Sequence, residues 1–386
     1  MLGMRFYNAR MQTPGKPSLS AHSAQNPLAA ALADKLGQHM AAAGGWLPFD
    51  RFMAIALYEP GLGYYARGDR VFGLLPEDGS DFVTAPELSP LFGQALAQQV
   101  AQTLDAAGSA QVLEFGAGSG ALAAQLLQAL GGRVQCYRIV EVSAALRARQ
   151  AARLAPWAGQ VEWLDAWPDA ITGVVLGNEV LDAMPVQLLH WDGQQWLERG
   201  VQPASTGGWA WADRPTALRP PLHEQFDVPG TVTEIHPQAE AFVRSLAQRL
   251  QCGAAFFIDY GFPEAEYYHP QRTGGTLMCH RAHRADTDPL RDVGDKDITA
   301  HVNFSGLALA AQGAGLRVLG YTSQARFLIN CGLPALLQGA DVRTVAHAQK
   351  LMTEHEMGEL FKVLGLARGI NLDAIGFVSG DRCHRL

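Results

Sequence analysis

The chain has 386 residues, 48% hydrophobic and 17% charged, which supplies a large core and excludes a disordered protein. Lys+Arg number 30 and Asp+Glu 37, a net charge of −7, which argues against a protein built to grip a nucleic-acid backbone. Five scattered cysteines with no CxxC pair suggest neither a zinc ribbon nor a disulfide scaffold, and no apolar run approaches a membrane span.

Residues 1–25 carry Arg5, Arg10 and Lys16, no acid, and Pro14, Gly15 and Pro17. They read as a disordered starter segment, with a transit peptide as the alternative. The expected compartment is cytoplasmic, or the mitochondrial matrix under the second reading. From 26 to about 43, Leu28, Leu32 and Leu36 recur every four residues and predict a helix; 48–57 predicts another. A turn-rich aromatic stretch, Tyr58 to Tyr65, follows. Ser89-Pro90 marks a helix start, with Phe92, Leu96 and Val100 repeating behind it. Residues 26–107 thus read as a helical cap that carries substrate and cofactor loops.

Residues 108–260 alternate. Strands are expected at 110–115, 137–141, 161–164, 173–178 and 254–259, with helices at 121–130 and 143–154. Strands at 316–321 and 374–378 complete seven. The pattern predicts an α/β fold with a doubly wound, mostly parallel sheet. Residues 186–232, with Trp191, Trp196, Trp209 and Trp211, read as a small antiparallel excursion. Residues 261–304 have little periodicity and read as a lid. Residues 305–386 close the sheet around a helical insertion at 323–366.

Between the first strand and its helix lies Glu114-Phe-Gly-Ala-Gly-Ser-Gly120. Glycines there let the backbone turn sharply and approach a ligand at the positive end of the helix. Read as Gly116-x-Gly118-x-x-Ala121, with Glu141 about 20 residues on, the loop satisfies a loose dinucleotide fingerprint. Read as Glu114-x-Gly116-Ala117-Gly118-x-Gly120, it resembles the first motif of class I S-adenosylmethionine (SAM)-dependent methyltransferases, and a carboxylate there attracts the ammonium and sulfonium of SAM and repels a pyrophosphate. The acid favours the second reading. Glu141 is placed to accept both ribose hydroxyls, and Asp165 at the third strand's end to take the adenine amino group.

After the fourth strand comes Asn178-Glu-Val-Leu-Asp-Ala-Met-Pro185. Ligands of open parallel sheets bind at the carboxyl ends of the strands, so this loop faces the methyl donor. Glu179 and Asp182, three apart, suit a guanidinium, whose planar fork carboxylates bind bidentately. Asp259 and Tyr260, ending the fifth strand, read either as lining the acceptor channel or as a buried strand end with a Gly turn, and His301 is a further acceptor-site candidate. Cys279, His280 and His283, near His269 and His301, match no standard metal-ligand spacing, so no metal is expected.

These strings, with Pro60-Gly-Leu-Gly-Tyr-Tyr65, Asp81-Phe-Val-Thr-Ala-Pro-Glu87, Gly275-Thr-Leu-Met-Cys-His280 and Asp297-Ile-Thr-Ala-His-Val-Asn-Phe304, resemble the MidA-like family of class I SAM-dependent methyltransferases. The resemblance implies the seven-stranded methyltransferase sheet and SAM as methyl donor, with S-adenosylhomocysteine as product. It implies an arginine of a protein substrate, a respiratory complex I subunit in the mitochondrial member, as acceptor. Two positions depart from the family pattern: Ala117 stands where many members have Pro, and Asn303 where Asp is usual. A small-molecule methyltransferase and a non-catalytic assembly factor that retains SAM binding are the alternatives.

Overall fold

A computed structural model describes residues 27–67, 83–281 and 284–386. The expectations for residues 1–25, for Asp81 and Phe82, and for His283 fall outside the described residues. The apolar segments of the middle of the chain pair edge to edge, since burial of both their faces leaves only the backbone free to bond. We number the seven strands of this sheet β1 (Gln111–Phe115), β2 (Cys136–Val140), β3 (Val161–Leu164), β4 (Ile171–Asn178), β5 (Leu250–Phe262), β6 (Arg317–Ser323) and β7 (Phe361–Arg368). Their order is β3-β2-β1-β4-β5-β7-β6, with β7 antiparallel to both neighbours and the other pairings parallel.

Side chains alternate across this sheet. Val174, Phe256 and Val363 enter one apolar layer, and Val175, Phe257 and Leu364 the other. The first layer holds helix α3 (Pro90–Ala107) and helix α4 (Ala121–Leu130); the second holds residues of 237–249 and 304–313. The sheet is therefore wound on both faces. Helix α3 begins where the sequence marks it: Ser89 Oγ accepts from Leu91 N at 3.3 Å, Pro90 opens the first turn, and Gly108 closes the helix at φ 57°.

The seventh strand is a correction. It is Phe361–Arg368, inside the stretch expected to be helical, while 374–378 holds only a 3-10 turn, Ile375–Phe377. A short apolar run such as Val363–Ala367 fits a buried helix or a buried strand equally, and pairing along both edges decides for strand. Residues 374–378 instead cap the sheet: a Cβ on Gly365 would lie 2.6 Å from the Phe377 ring, so the glycine makes room for it.

The antiparallel excursion is present as Gln187–Trp191, Trp196–Pro203, Trp209–Pro215 and Val232–Ile235, and it recruits Leu47–Pro48 as a further strand. Helices α1 (Pro27–Ala42) and α2 (Phe49–Tyr58) pack on it and on Cys279, Ile298 and Ala300. The stretch 26–107 is thus divided: α1 and α2 belong to the core of the antiparallel excursion, and α3 to the main sheet.

Residues 261–304 form a three-stranded sheet, Met278–Arg281 between Arg284–Asp286 and Asp297–Thr299, rooted at both ends. Gly261 and Phe262 pair with Val302 and Asn303. Fully buried Glu234 accepts from Thr276 N (2.8 Å), Leu277 N (3.0 Å) and the Tyr267 hydroxyl (2.9 Å). Glu234→Ala strands those buried donors, so denaturant unfolding is expected to show a loss of at least about 2 kcal/mol. An unchanged midpoint would show that Glu234 does not anchor the segment.

Candidate active site

The carboxyl ends of β1, β2 and β4 open into a cavity of about 640 Å³, the volume of a cofactor-sized pocket. Residues from α2, the loop after it and the 278–301 segment cover it: Tyr58, Tyr65, Met278, His280, Asp297 and His301 all reach its wall.

Gly116, Gly118 and Gly120 take positive φ of 64°, 52° and 81°, a turn that side-chain-bearing residues make at a cost. A Cβ on Gly116 would sit 2.6 Å from Val180 Cγ2, so the cofactor loop and the carboxylate loop touch through the missing side chain. Glu114 is buried and accepts from the Tyr137 hydroxyl at 2.6 Å; burial raises its pKa to about 7, against the pull of that hydrogen bond. Glu141 is buried, with Oε1 accepting from Ser143 N (2.8 Å) and Oε2 from Gln150 Nε2 (3.2 Å). Each oxygen keeps a second lone pair for a ribose hydroxyl. Ala117 also lines the wall.

Asp165 stands apart. Its side chain is 89% exposed and pairs with Arg147 Nη2 at 2.5 Å, and it is not among the described residues of the cavity wall. Helix α5 (Ala144–Arg153), which carries Arg147, lies close enough to claim the carboxylate.

Asn178, Glu179 and Asp182 come together at the end of β4. Asn178 Nδ2 donates to Glu179 Oε1 at 3.0 Å, while Asn178 Oδ1 and Asp182 Oδ1 are buried without a hydrogen-bond partner. Glu179 holds a left-handed backbone at φ 54°, rare for a residue with a side chain and costly. Burial and the Asp182 charge lift its carboxyl to about 8; burial lifts Asp182 to about 6, against a hydrogen bond from Tyr260.

Asp259 has a different place from the one expected. It is fully buried, absent from the described wall, and turned into the backbone. Its Oδ2 accepts from the N–H groups of Val180 (3.1 Å), Leu181 (2.9 Å) and Asp182 (3.3 Å), and its Oδ1 from Tyr260 N (2.9 Å). It positions the carboxylate loop rather than meeting a ligand. His301 does line the cavity, its ring stacked on Phe262 at 5.2 Å and its Nδ1 buried without a partner. Burial, with the charge of Arg272, pushes it down to about 4, so it is neutral. Asn303 caps the helix at Phe304–Gly313, its Oδ1 accepting from Gly306 N at 3.2 Å. Asp and Asn cap equally well, so this departure leaves the cap intact.

Six carboxylates therefore line the cavity, those of Glu87, Glu114, Glu141, Glu179, Asp182 and Asp297, with no lysine or arginine among the described residues of its wall. Such a wall selects cationic ligands and repels a pyrophosphate. Residues 95–322 match the family of S-adenosyl-L-methionine-dependent methyltransferases. The chain belongs to this MidA-like family of methyltransferases. It is an enzyme whose methyl donor is SAM.

A protein from Burkholderia thailandensis, solved bound to S-adenosyl-homocysteine, is 51% identical to this MidA-like chain at a TM-score of 0.89, covering 93% of it and 97% of the other. The native structure of a protein from the same organism is 50% identical, at a TM-score of 0.85 and the same coverage. The mitochondrial protein arginine methyltransferase NDUFAF7 of Xenopus tropicalis is 29% identical, covering 82% of this chain and 81% of that one. Among the described residues, no helix is long and apolar enough to cross a membrane.

The residues present fit SAM: a buried acid at the turn, a glycine cradle, and a second acid with lone pairs to spare. Glu141→Ala is expected to weaken S-adenosylhomocysteine binding by about 1–3 kcal/mol in calorimetry, the scale of a lost charge-assisted hydrogen bond. Equal affinities would remove Glu141 from the ribose site.

Sequence reading missed Glu87, Tyr65 and Asp297. Glu87 accepts from Ser119 Oγ and from Arg153 Nη1 (2.9 Å), tying the helical cap to the glycine loop. The only signal was their presence inside the family strings, which carry no hint of a role.

Proposed function

We propose that this methyltransferase transfers a methyl group to an arginine side chain of a protein substrate, with a complex I-type subunit as the first candidate. The acidic wall carries the reading: a pocket lined by six carboxylates calls for a cationic acceptor beside a cationic donor. The likeness to mitochondrial NDUFAF7, a protein arginine methyltransferase, supports it. Bound against Gly116–Gly120, SAM supplies an electrophilic methyl on a sulfonium.

Glu179 and Asp182 hold the guanidinium by paired hydrogen bonds and aim one nitrogen at that methyl; alignment of this kind contributes several kcal/mol. Unpartnered Asp182 Oδ1 awaits a donor. An arginine nitrogen loses its proton only as the new N–C bond forms, since the free group has a pKa above about 12. Glu179, lifted to about 8 by burial, is suited to take that proton. Tyr58 and Tyr65, stacked at 5.6 Å, offer an aromatic wall beside the cation.

The test is transfer of labelled methyl from SAM to arginine peptides, to matched lysine peptides and to a cell extract, with labelled products identified by mass spectrometry. Label on arginine supports the reading. Label confined to small molecules overturns it in favour of a small-molecule enzyme.

A further inference from the structure

We propose that Asp297 is a third acceptor-side carboxylate, carried to the cavity by the 261–304 segment, which selects a planar guanidinium over an ammonium. This rests on the arginine reading above. Asp297 opens the strand Asp297–Thr299, is 3% exposed, and lines the same cavity as Glu179 and Asp182 while coming from a different element. The two elements are tied together directly: Ala300 N donates to the Asp182 carbonyl at 2.9 Å. The side chain is held in place as well, its Oδ1 accepting from the Tyr65 hydroxyl (2.9 Å) and from Ile298 N (2.9 Å). Its charge is felt across the pocket, since it helps to raise the pKa of Glu179 and of Tyr65.

Asp182 Oδ1 and Asn178 Oδ1, buried and unpartnered on the same wall, show that the pocket awaits a ligand rich in donors. A guanidinium spreads five N–H donors over a rigid fork and can meet carboxylates from two elements at once. An ammonium radiates three donors from a single atom. A carboxylate that reaches in from the covering segment therefore favours the wider group.

The experiment compares wild type, Asp297→Asn and Tyr65→Phe with an arginine peptide and its lysine counterpart. Asp297→Asn is expected to raise KM for the arginine peptide at least about 10-fold, the scale of one charge-assisted pair. Its kcat should change less, S-adenosylhomocysteine affinity should stay at the wild-type value, and arginine-over-lysine selectivity should fall. Tyr65→Phe, which keeps the carboxylate, should shift KM less.

An unchanged KM in Asp297→Asn, with Glu179→Gln inactive, overturns this assignment alone. So does a Tyr65→Phe variant that reproduces the whole effect, because Asp297 would then act only through Tyr65. If Asp297→Asn does not fold, Asp297→Ser, still able to accept from Tyr65, is expected to give the same KM shift. A wild type that labels no arginine peptide overturns the arginine reading and this one together.

Discussion

Glu179→Gln is expected to lower turnover by about 100-fold or more in steady-state kinetics, while affinity for S-adenosylhomocysteine moves little. The exchange keeps size and removes charge at the one carboxylate proposed both to orient the acceptor and to take its proton. The pH profile provides a second check. Burial and Asp182 lift the Glu179 carboxyl to about 8 in the free enzyme, and the cationic acceptor needs its ionised form. So kcat/KM should rise with pH through a midpoint near 8 in the wild type and level off above it, and the Gln variant should lose that limb.

Stability runs the opposite way. A carboxyl whose folded pKa lies above its unfolded value contributes stability that is complete below the unfolded pKa and is lost as pH rises through the folded one. Glu179 therefore costs the fold stability progressively as pH rises from about 4.5 to about 8, and Glu179→Gln should melt higher than wild type when measured at about pH 8 or above. A variant that turns over at the wild-type rate would place the acceptor site elsewhere, with His301 the next residue to examine.

What the sequence reveals depends on the distance over which each role is set. The place of the glycine loop and Glu141 on the cavity wall is legible because it follows from local spacing after a strand. Helix α3 is legible because Ser89 and Pro90 specify its start within two residues. The last strand is not, since Phe361–Arg368 becomes a strand by pairing along both edges, with β6 and with β5, which lies far upstream. Asp165 reads as a ligand contact from its place at a strand end, yet Arg147 in the preceding helix α5 pairs with it. Tyr65 and Asp297 lie 232 positions apart and meet only when the covering segment folds over α2. No window of sequence holds both.

Asp259 is the strongest case of a role set at long range, and its replacement has the second large effect. Its Oδ2 binds three successive backbone N–H groups, Val180, Leu181 and Asp182, which lie 79, 78 and 77 positions away. The preceding residue is Glu179, whose left-handed backbone is costly, and Glu179 N is itself held by the Ile258 carbonyl at 2.9 Å. The loop keeps its shape because Asp259 over-determines it. Asp259→Ala leaves buried N–H groups unsatisfied at about 1–3 kcal/mol each, so a loss of several kcal/mol is expected.

Turnover should fall in the same variant, since relaxation of the Glu179 backbone misaims the carboxylate, and misplacement by about 1 Å can cost 100-fold. The pair of phenotypes separates the two acids: Glu179→Gln loses activity without losing stability, and Asp259→Ala loses both. Asp259→Asn, which keeps one acceptor oxygen for the three N–H groups, should recover part of each. An Asp259→Ala protein with the wild-type denaturation midpoint and wild-type turnover would show that the loop holds its own shape without this carboxylate.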